Sequence, residues 1–136
     1  MKSRDGFKKD RNELQNIFSF LEEFWAVNSL DEKTRSEIEL SVEELFMNMV
    51  RHNPHQNSPV QLSVEKHTDK IEVVISDEEN IPFDITLTEK VDLDDYIKKE
   101  KSGGLGIHLV KELMDDISFK HDNGISTITL TKHLSK

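Results

Sequence analysis

Apolar side chains recur at helical spacing near the start of the chain. The residues in question would form a single stripe along one side of a helix: Leu14, Ile17, Phe18, Leu21 and Trp25. A stripe of this width is typical of an amphipathic helix that packs against a core. The pattern therefore predicts a first helix over about residues 10 to 27, and we expect its stripe to be buried.

A second helix is predicted over about residues 30 to 52. Ser29 followed by Glu32 has the sequence of a capping box, and Pro54 ends the helical pattern because proline cannot continue a helix. The expected core side contains Ile38, Val42, Leu45 and Met49. A neighbouring polar stripe contains Glu37, Ser41, Glu44, Asn48 and His52. Polar groups thus line one edge of a packed helix.

The pattern then changes to the period of two that is typical of strands. Val60, Leu62 and Val64 alternate with polar residues, and a second alternating run contains Ile71, Val73 and Ile75. The polar turn Thr68-Asp69 between the two runs predicts a hairpin. The sequence therefore places two antiparallel strands directly after the second helix.

The last third of the chain is predicted to contain one helix and two strands. The helix spans about residues 105 to 114, and the strands, over residues 117 to 120 and 125 to 131, flank the turn Asp122-Asn123-Gly124. Residues 78 to 102 show little periodicity and form a long loop, and loops of this length are often functional lids. The order of elements favours an α+β two-layer sandwich, a mixed, mostly antiparallel sheet covered on one face by helices.

Composition narrows the class of protein. The 136 residues fit one domain over residues 1–136. The net charge of −9 makes nucleic acid and anionic membrane unfavourable partners. There are no cysteines, and neither an export signal nor an apolar membrane span is evident. We therefore expect a cytoplasmic protein that binds neither nucleic acid nor membrane.

Glu44 and Asn48 form a candidate cation site on the second helix. They are four positions apart, so a carboxylate and an amide carbonyl lie on one helix face. Mg²⁺ takes few protein ligands, so the Asn48 oxygen can hold the metal while Glu44 orients or deprotonates a nucleophile. The alternative for this pair is an ordinary solvated helix stripe.

Asp77 and a glycine turn are candidates for binding a nucleotide. Asp77, just beyond the last apolar residue of the second strand, can accept a hydrogen bond from an exocyclic amino group. The turn Gly103-Gly104-Leu105-Gly106 opens a helix, whose N–H groups and dipole favour a polyphosphate. Lys101 lies just upstream with two other lysines. The alternatives are a turn-initiating aspartate, a flexible hinge and solvated lysines.

These motifs together resemble those of the GHKL ATPases. The run from Leu40 to Asn48 is similar to their N box, Ser76-Asp77-Glu78 followed by Pro82-Phe83-Asp84 is similar to the first glycine box, and residues 103 to 110 are similar to the second. The resemblance spans about residues 10 to 134. Within that superfamily the chain resembles the small anti-sigma-factor serine/threonine kinases.

The resemblance implies a Bergerat ATP-binding fold that takes ATP and Mg²⁺. By position, it implies that Asn48 coordinates Mg²⁺, Glu44 is the general base and Asp77 recognises adenine. Gly104 and Gly106 would contact the phosphates, as part of the turn that also contains Gly103 and Leu105. Lys101 would lie near the γ-phosphate. Residues 79 to 102 would form the lid. Glu79 stands where the first glycine box normally has a glycine, and its side chain would crowd or repel the nucleotide.

Two classes of function follow from this resemblance. The first is a serine/threonine kinase that phosphorylates an anti-anti-sigma (STAS-type) partner and otherwise holds a sigma factor, with a homodimer implied. The second is a catalytically inactive nucleotide-binding module that regulates a sigma factor or another signalling partner, which Glu79 favours. A sensor histidine kinase would need an additional helical hairpin with a phosphoacceptor histidine, and we do not expect one in this chain.

Overall fold

A computed structural model describes residues 2–52, 59–78 and 104–134 of the chain. In these residues, three helices cover one face of a five-stranded sheet. The elements in chain order are β1 (Lys2–Phe7), α1 (Leu14–Val27), α2 (Glu32–His52), β2 (Val60–Lys66), β3 (Lys70–Glu78), α3 (Gly104–Leu113), β4 (Asp116–Asp122) and β5 (Ile125–His133). The predicted α+β fold is confirmed. No helix in the described ranges is long and apolar enough to cross a membrane.

The sheet has the strand order β1-β2-β3-β5-β4, and each of its described pairs is antiparallel. The predicted hairpin between β2 and β3 is confirmed, with Leu62 opposite Ile75. β4 and β5 are joined by Asn123 and Gly124, which have φ of 53° and 76°. Positive φ at both positions is typical of a tight hairpin turn that matches the twist of its strands.

The strand β1 was not predicted, because the chain was expected to begin with a helix. Its sequence Lys-Ser-Arg-Asp-Gly-Phe contains one large apolar side chain and has no alternating pattern. Among the described strands β1 pairs with β2 alone, at the edge of the sheet, so one of its sides has no neighbouring strand there. Phe7 anchors it, since its buried ring meets Phe20 of α1 edge to face at 5.9 Å between centroids.

The first two helices lie close to their predicted bounds, with differences at their starts. A 3₁₀ turn (Arg11–Glu13) precedes α1. α2 begins at Glu32 and is capped by Asp31, whose carboxylate accepts the N–H of Thr34 at 3.2 Å. The predicted capping box at Ser29 was therefore wrong. The side-chain and backbone hydrogen bonds of Thr34 also lower the pKa of Asp31, because they favour the charged carboxylate.

The core lies between the helices and the inner face of the sheet. α2 contributes the four predicted core residues together with Phe46, which is also fully buried. Along α1, Phe20 and Phe24 are buried, whereas the predicted core residue Phe18 is half-buried. The inward positions of β3 are Ile71, Val73, Ile75 and Asp77. A carboxylate thus ends the apolar inner face of this central strand.

Candidate functional site

Glu44 lies on α2 where that helix packs against α3. Its side chain is half-buried. Burial removes water from the Glu44 carboxyl and raises its pKa, and the nearby charge of Glu43 raises this pKa further. The positive charge of Arg51 lowers the pKa by a smaller amount. A carboxylate with a raised pKa accepts a proton more readily than an ordinary glutamate, so Glu44 has the chemistry of a general base.

Gly106, in the first turns of α3, lies directly against the Glu44 carboxylate. A Cβ atom added to Gly106 would overlap Oε2 of Glu44 and lie 2.9 Å from its Cδ. Real Cβ atoms essentially never make contacts this short, so the Glu44 carboxylate can keep this position only with glycine at position 106. The structure therefore brings together two residues that the sequence placed in separate motifs.

We expect the substitution Gly106→Ala to destabilise the fold through this contact. The new methyl group must displace the carboxylate or separate the helices, and overpacking of this kind costs about 1–3 kcal/mol. In a Glu44→Ala background the overlapping atoms are absent. There the same change is expected to stabilise the helix by about 0.5–1 kcal/mol, the usual gain of alanine over glycine.

Urea unfolding of the four proteins in this double-mutant cycle measures the effect. A reversal of sign between the two backgrounds identifies the contact as the cause. If Gly106→Ala has the same effect on the free energy of unfolding in both backgrounds, the inferred contact between Gly106 and the Glu44 carboxylate is wrong.

Asn48 lies one helical turn beyond Glu44 and is 5% exposed. Among the residues that the structure describes, no group donates a hydrogen bond to its Oδ1 atom. An unpartnered buried carbonyl oxygen is costly in a folded protein, and such groups call for an explanation. An amide oxygen is a ligand that Mg²⁺ accepts, so Asn48 fits the metal site that the sequence predicted.

Asp77 is almost completely buried, and it is held by a lysine that the sequence did not single out. Lys9 Nζ lies 2.5 Å from Asp77 Oδ1, and the two side chains are 3% and 0% exposed. Nothing in the sequence marked Lys9 among the many lysines of the chain. No local pattern indicated it, because Lys9 lies in a bend after β1, where side chains do not alternate between two faces as they do in a strand.

A second polar residue lies beside Asp77 on the inner face. Ser126 of β5 pairs in register with Asp77 and is fully buried. Its hydroxyl lies 2.9 Å from Nδ1 of His121 on β4. The sequence analysis missed this serine, although it occupies an inward position in an alternating run with Ile128 and Leu130. The inner face of the sheet thus becomes polar at one end.

The other predicted site residues are only partly described. Gly104 begins α3, and Leu105 lies in the first turn of that helix. Gly103, Lys101 and the predicted lid over residues 79 to 102, including Glu79, lie outside the described residues. The described residues of the predicted site therefore form two groups, the first comprising Glu44, Asn48 and the start of α3 and the second comprising Asp77 with Lys9.

Two solved structures have a similar fold. The RsbU and RsbW domains of Rv1364c from Mycobacterium tuberculosis match with a TM-score of 0.66 at 16% identity, over 100% of this chain and 33% of that chain. The SiaB–SiaC complex from Pseudomonas aeruginosa matches with a TM-score of 0.65 at 12% identity, over 98% of this chain and 90% of that one. At such low identity these likenesses show the fold.

Sequence similarity links the chain to bacterial serine-protein kinases named RsbW. The protein from Staphylococcus aureus strain NCTC 8325 is 34% identical over 104 residues, which are 71% of this chain and 64% of that protein. The protein from Listeria innocua serovar 6a is 32% identical over 107 residues, or 74% and 66% of the two chains. The chain thus spans less than two thirds of the length of the Staphylococcus protein.

A family model covers a larger part of the sequence than either relative does. The model described as the histidine kinase-like ATPase domain matches residues 7–132. This range contains α1 to α3 and nearly all of the sheet, together with Glu44, Asn48, Asp77 and Gly106. The chain belongs to the histidine kinase-like ATPase family.

Proposed function

We propose that this chain binds ATP with Mg²⁺ and transfers the γ-phosphate to a serine or threonine hydroxyl of an anti-anti-sigma (STAS-type) partner. One observation carries the proposal. The half-buried Glu44 carboxylate, with its raised pKa, lies against Gly106 near the start of α3 and one helical turn from the Asn48 oxygen, to which no described residue donates. This arrangement supports a site in which Glu44 would act as the general base, Asn48 as the cation ligand and the start of α3 as the phosphate-binding helix end.

Each residue has a defined part in binding. The Asn48 oxygen would hold Mg²⁺, which supplies neutralisation of the phosphate charge when bound. The N–H groups at the start of α3, including those of Gly104 and Gly106, would donate to phosphate oxygens. Asp77 would accept a hydrogen bond from the exocyclic amino group of adenine, which makes the base pocket selective.

The transfer step needs Glu44 in its ionised form. Glu44 accepts the proton of the partner's hydroxyl while the oxygen of that hydroxyl forms a bond to the γ-phosphorus. The bond from the γ-phosphorus to the bridging oxygen of ADP breaks, and ADP retains the electron pair. The chain itself forms no covalent intermediate, so its contribution is position and charge.

The proposal extends to the pathway and to the organisation of the chain. Two proteins named serine-protein kinase RsbW are more than 30% identical to this chain, which supports a regulatory kinase. We propose that the chain binds a sigma factor when it is free of the anti-anti-sigma partner. We also propose that it folds as one domain with a lid over residues 79 to 102, and that two copies form a homodimer.

The test is phosphate transfer with purified components. The chain is incubated with γ-labelled ATP, Mg²⁺ and STAS-type proteins, among them any encoded beside its gene. We expect label on a serine or threonine of one partner, and loss of that label when Mg²⁺ is chelated. Binding of ATP without transfer to any partner would overturn the kinase proposal.

The second candidate is a nucleotide-binding module without transfer activity. Glu79, which replaces the expected glycine, and the Lys9–Asp77 ion pair favour it, because each adds a charged side chain where a nucleotide is expected. Such a module would regulate the sigma factor or another signalling partner through nucleotide occupancy alone. In that case Glu44→Gln would leave the regulation unchanged.

The pH dependence of transfer should depend on Glu43. Because burial and Glu43 raise the pKa of Glu44, the rate should fall on the acid side at a higher pH than an ordinary glutamate would give. Glu43→Gln removes the like charge and should move that fall to lower pH. The measurement is the transfer rate as a function of pH for the wild type, for Glu43→Gln and for the control Glu32→Gln, whose carboxylate lies about three turns away on α2. If the acid-side fall in rate is at the same pH in Glu43→Gln as in the wild type, Glu44 is not the base.

A further inference from the structure

The Lys9 side chain is almost completely buried. Lysine is almost never fully buried unless its charge is paired, and removing two charges from water carries a large desolvation cost. Lys9 is 3% exposed and its ammonium meets Asp77 at 2.5 Å. The structure thus places a costly ion pair at the carboxylate that the proposed function gives to adenine.

The chain around Lys9 directs its side chain inward. Lys9 lies in a bend directly after β1, where the Asp10 N–H donates to the Lys8 carbonyl oxygen at 2.8 Å, and its side chain is buried while the neighbouring Lys8 is exposed. The backbone N–H of Lys8 donates to Glu13 Oε1 at 3.0 Å, and the Asp10 carboxylate accepts the N–H of Asn12 at 2.9 Å. These bonds anchor both sides of Lys9 to the start of α1, so its inward position is built into the fold.

The Lys9 ammonium and the exocyclic amino group of adenine are both hydrogen-bond donors, and both suit an Asp77 acceptor. Because the Asp77 side chain is fully buried with Lys9 against it, a base can reach the carboxylate only after this contact has opened. We infer that Lys9 is a displaceable occupant of the base pocket, which holds Asp77 in the nucleotide-free chain and withdraws when adenine binds. This inference rests on the proposed function, since it takes Asp77 as the adenine contact.

Two consequences follow from displacement. Nucleotide binding must separate a buried ion pair, so the chain binds ATP more weakly than it would with a neutral side chain at position 9. Withdrawal also exposes the Lys9 ammonium to solvent, so nucleotide binding should change the reactivity of this lysine.

The first test is the variant Lys9→Met, which keeps the length of the side chain and removes its charge. We expect its affinity for Mg²⁺-ATP in calorimetry to rise about tenfold or more, since breaking a buried pair is strongly unfavourable. Lys8→Met, at the exposed neighbouring position, is the matched control and should bind as the wild type does. Equal or weaker binding by a folded Lys9→Met variant would overturn the inference, because Lys9 would then support the nucleotide instead of competing with it.

The second test uses the wild-type chain and does not depend on whether the variant folds. Lysine side chains are labelled with an amine-reactive ester with and without saturating Mg²⁺-ATP, and the extent at each lysine is measured by mass spectrometry. Lys9 should be protected without nucleotide and labelled several-fold faster with it, while Lys8 should be unchanged. Lys9 that stays protected in nucleotide-saturated protein would overturn the inference.

These measurements separate the failure of the inference from that of the proposed function. If neither the wild type nor Lys9→Met binds ATP in calorimetry, the proposed nucleotide site is wrong and the inference falls with it. If the wild type binds ATP while Lys9 remains protected, only the displacement of Lys9 is wrong. Binding of ATP by Lys9→Met but not by the wild type would support the inference, because it would mean that the contact of Lys9 with Asp77 prevents the base from binding.

Discussion

Asn48→Ala is expected to weaken the binding of Mg²⁺-ATP at least about a hundredfold, because even second-shell changes at metal sites cost 10- to 100-fold. The substitution removes the buried amide oxygen that we assign to the cation. Without it the phosphates lose their link to α2, and the remaining nucleotide binding should no longer depend on Mg²⁺. Calorimetry with ATP, with and without a chelator, measures both effects.

The same variant should keep its stability. No described group donates to Asn48 Oδ1, so alanine removes a buried acceptor that costs free energy when it is left without a donor. A residue whose loss abolishes binding without weakening the fold has a role in function and not in packing. Asn16→Ala, at an exposed asparagine of α1, is the matched control. Unchanged Mg²⁺-ATP binding by Asn48→Ala would exclude this residue from the site.

Glu44→Gln should abolish phosphate transfer while leaving ATP bound. Glutamine has nearly the same shape but cannot accept the proton of the hydroxyl, and loss of a general base costs about 10²–10⁴-fold in rate. The affinity for ATP should change little, because the proposed contacts with the nucleotide come from other residues. Transfer to the partner and calorimetric binding of ATP are measured on the same preparation.

The stability of Glu44→Gln provides an independent check with a defined sign. Burial raises the folded-state pKa of Glu44, so ionisation of this side chain destabilises the fold at pH values above that pKa, and the penalty declines as pH falls from the folded-state pKa to the lower unfolded-state pKa. Glutamine removes that penalty. The variant should therefore be at least as stable as the wild type at neutral pH, and any gain should diminish in acid.

Glu43→Gln is the natural control for catalysis, because it changes a neighbouring carboxylate on the same helix. It should retain transfer at neutral pH, because removal of the like charge lowers the pKa of Glu44 and so favours its ionised form. Wild-type rates of transfer by Glu44→Gln would show that the general base lies elsewhere in the chain or in the partner.

The elements with strong periodicity could be predicted from residue order. The stripe of α2 from Ile38 to Met49 and the alternation of β2 and β3 each depend on burial of one side of an element, so the period of the sequence shows them. β1 could not be predicted in this way, because an edge strand needs backbone pairing with β2 more than it needs an apolar face. The start of α2 was missed by two positions because serine and aspartate are both good caps, and only the structure shows that Asp31 accepts the hydrogen bond.

For the site, local spacing placed Glu44 and Asn48 on one helix face, and the order of the motifs indicated the family. These are short-range properties that the sequence contains directly. The contact of Gly106 with Glu44 and the ion pair of Lys9 with Asp77 join residues that are 62 and 68 positions apart. Such pairs arise only when helices pack and strands pair, so no local pattern encodes them, and the tertiary structure alone shows that a lysine holds the carboxylate expected to recognise the base.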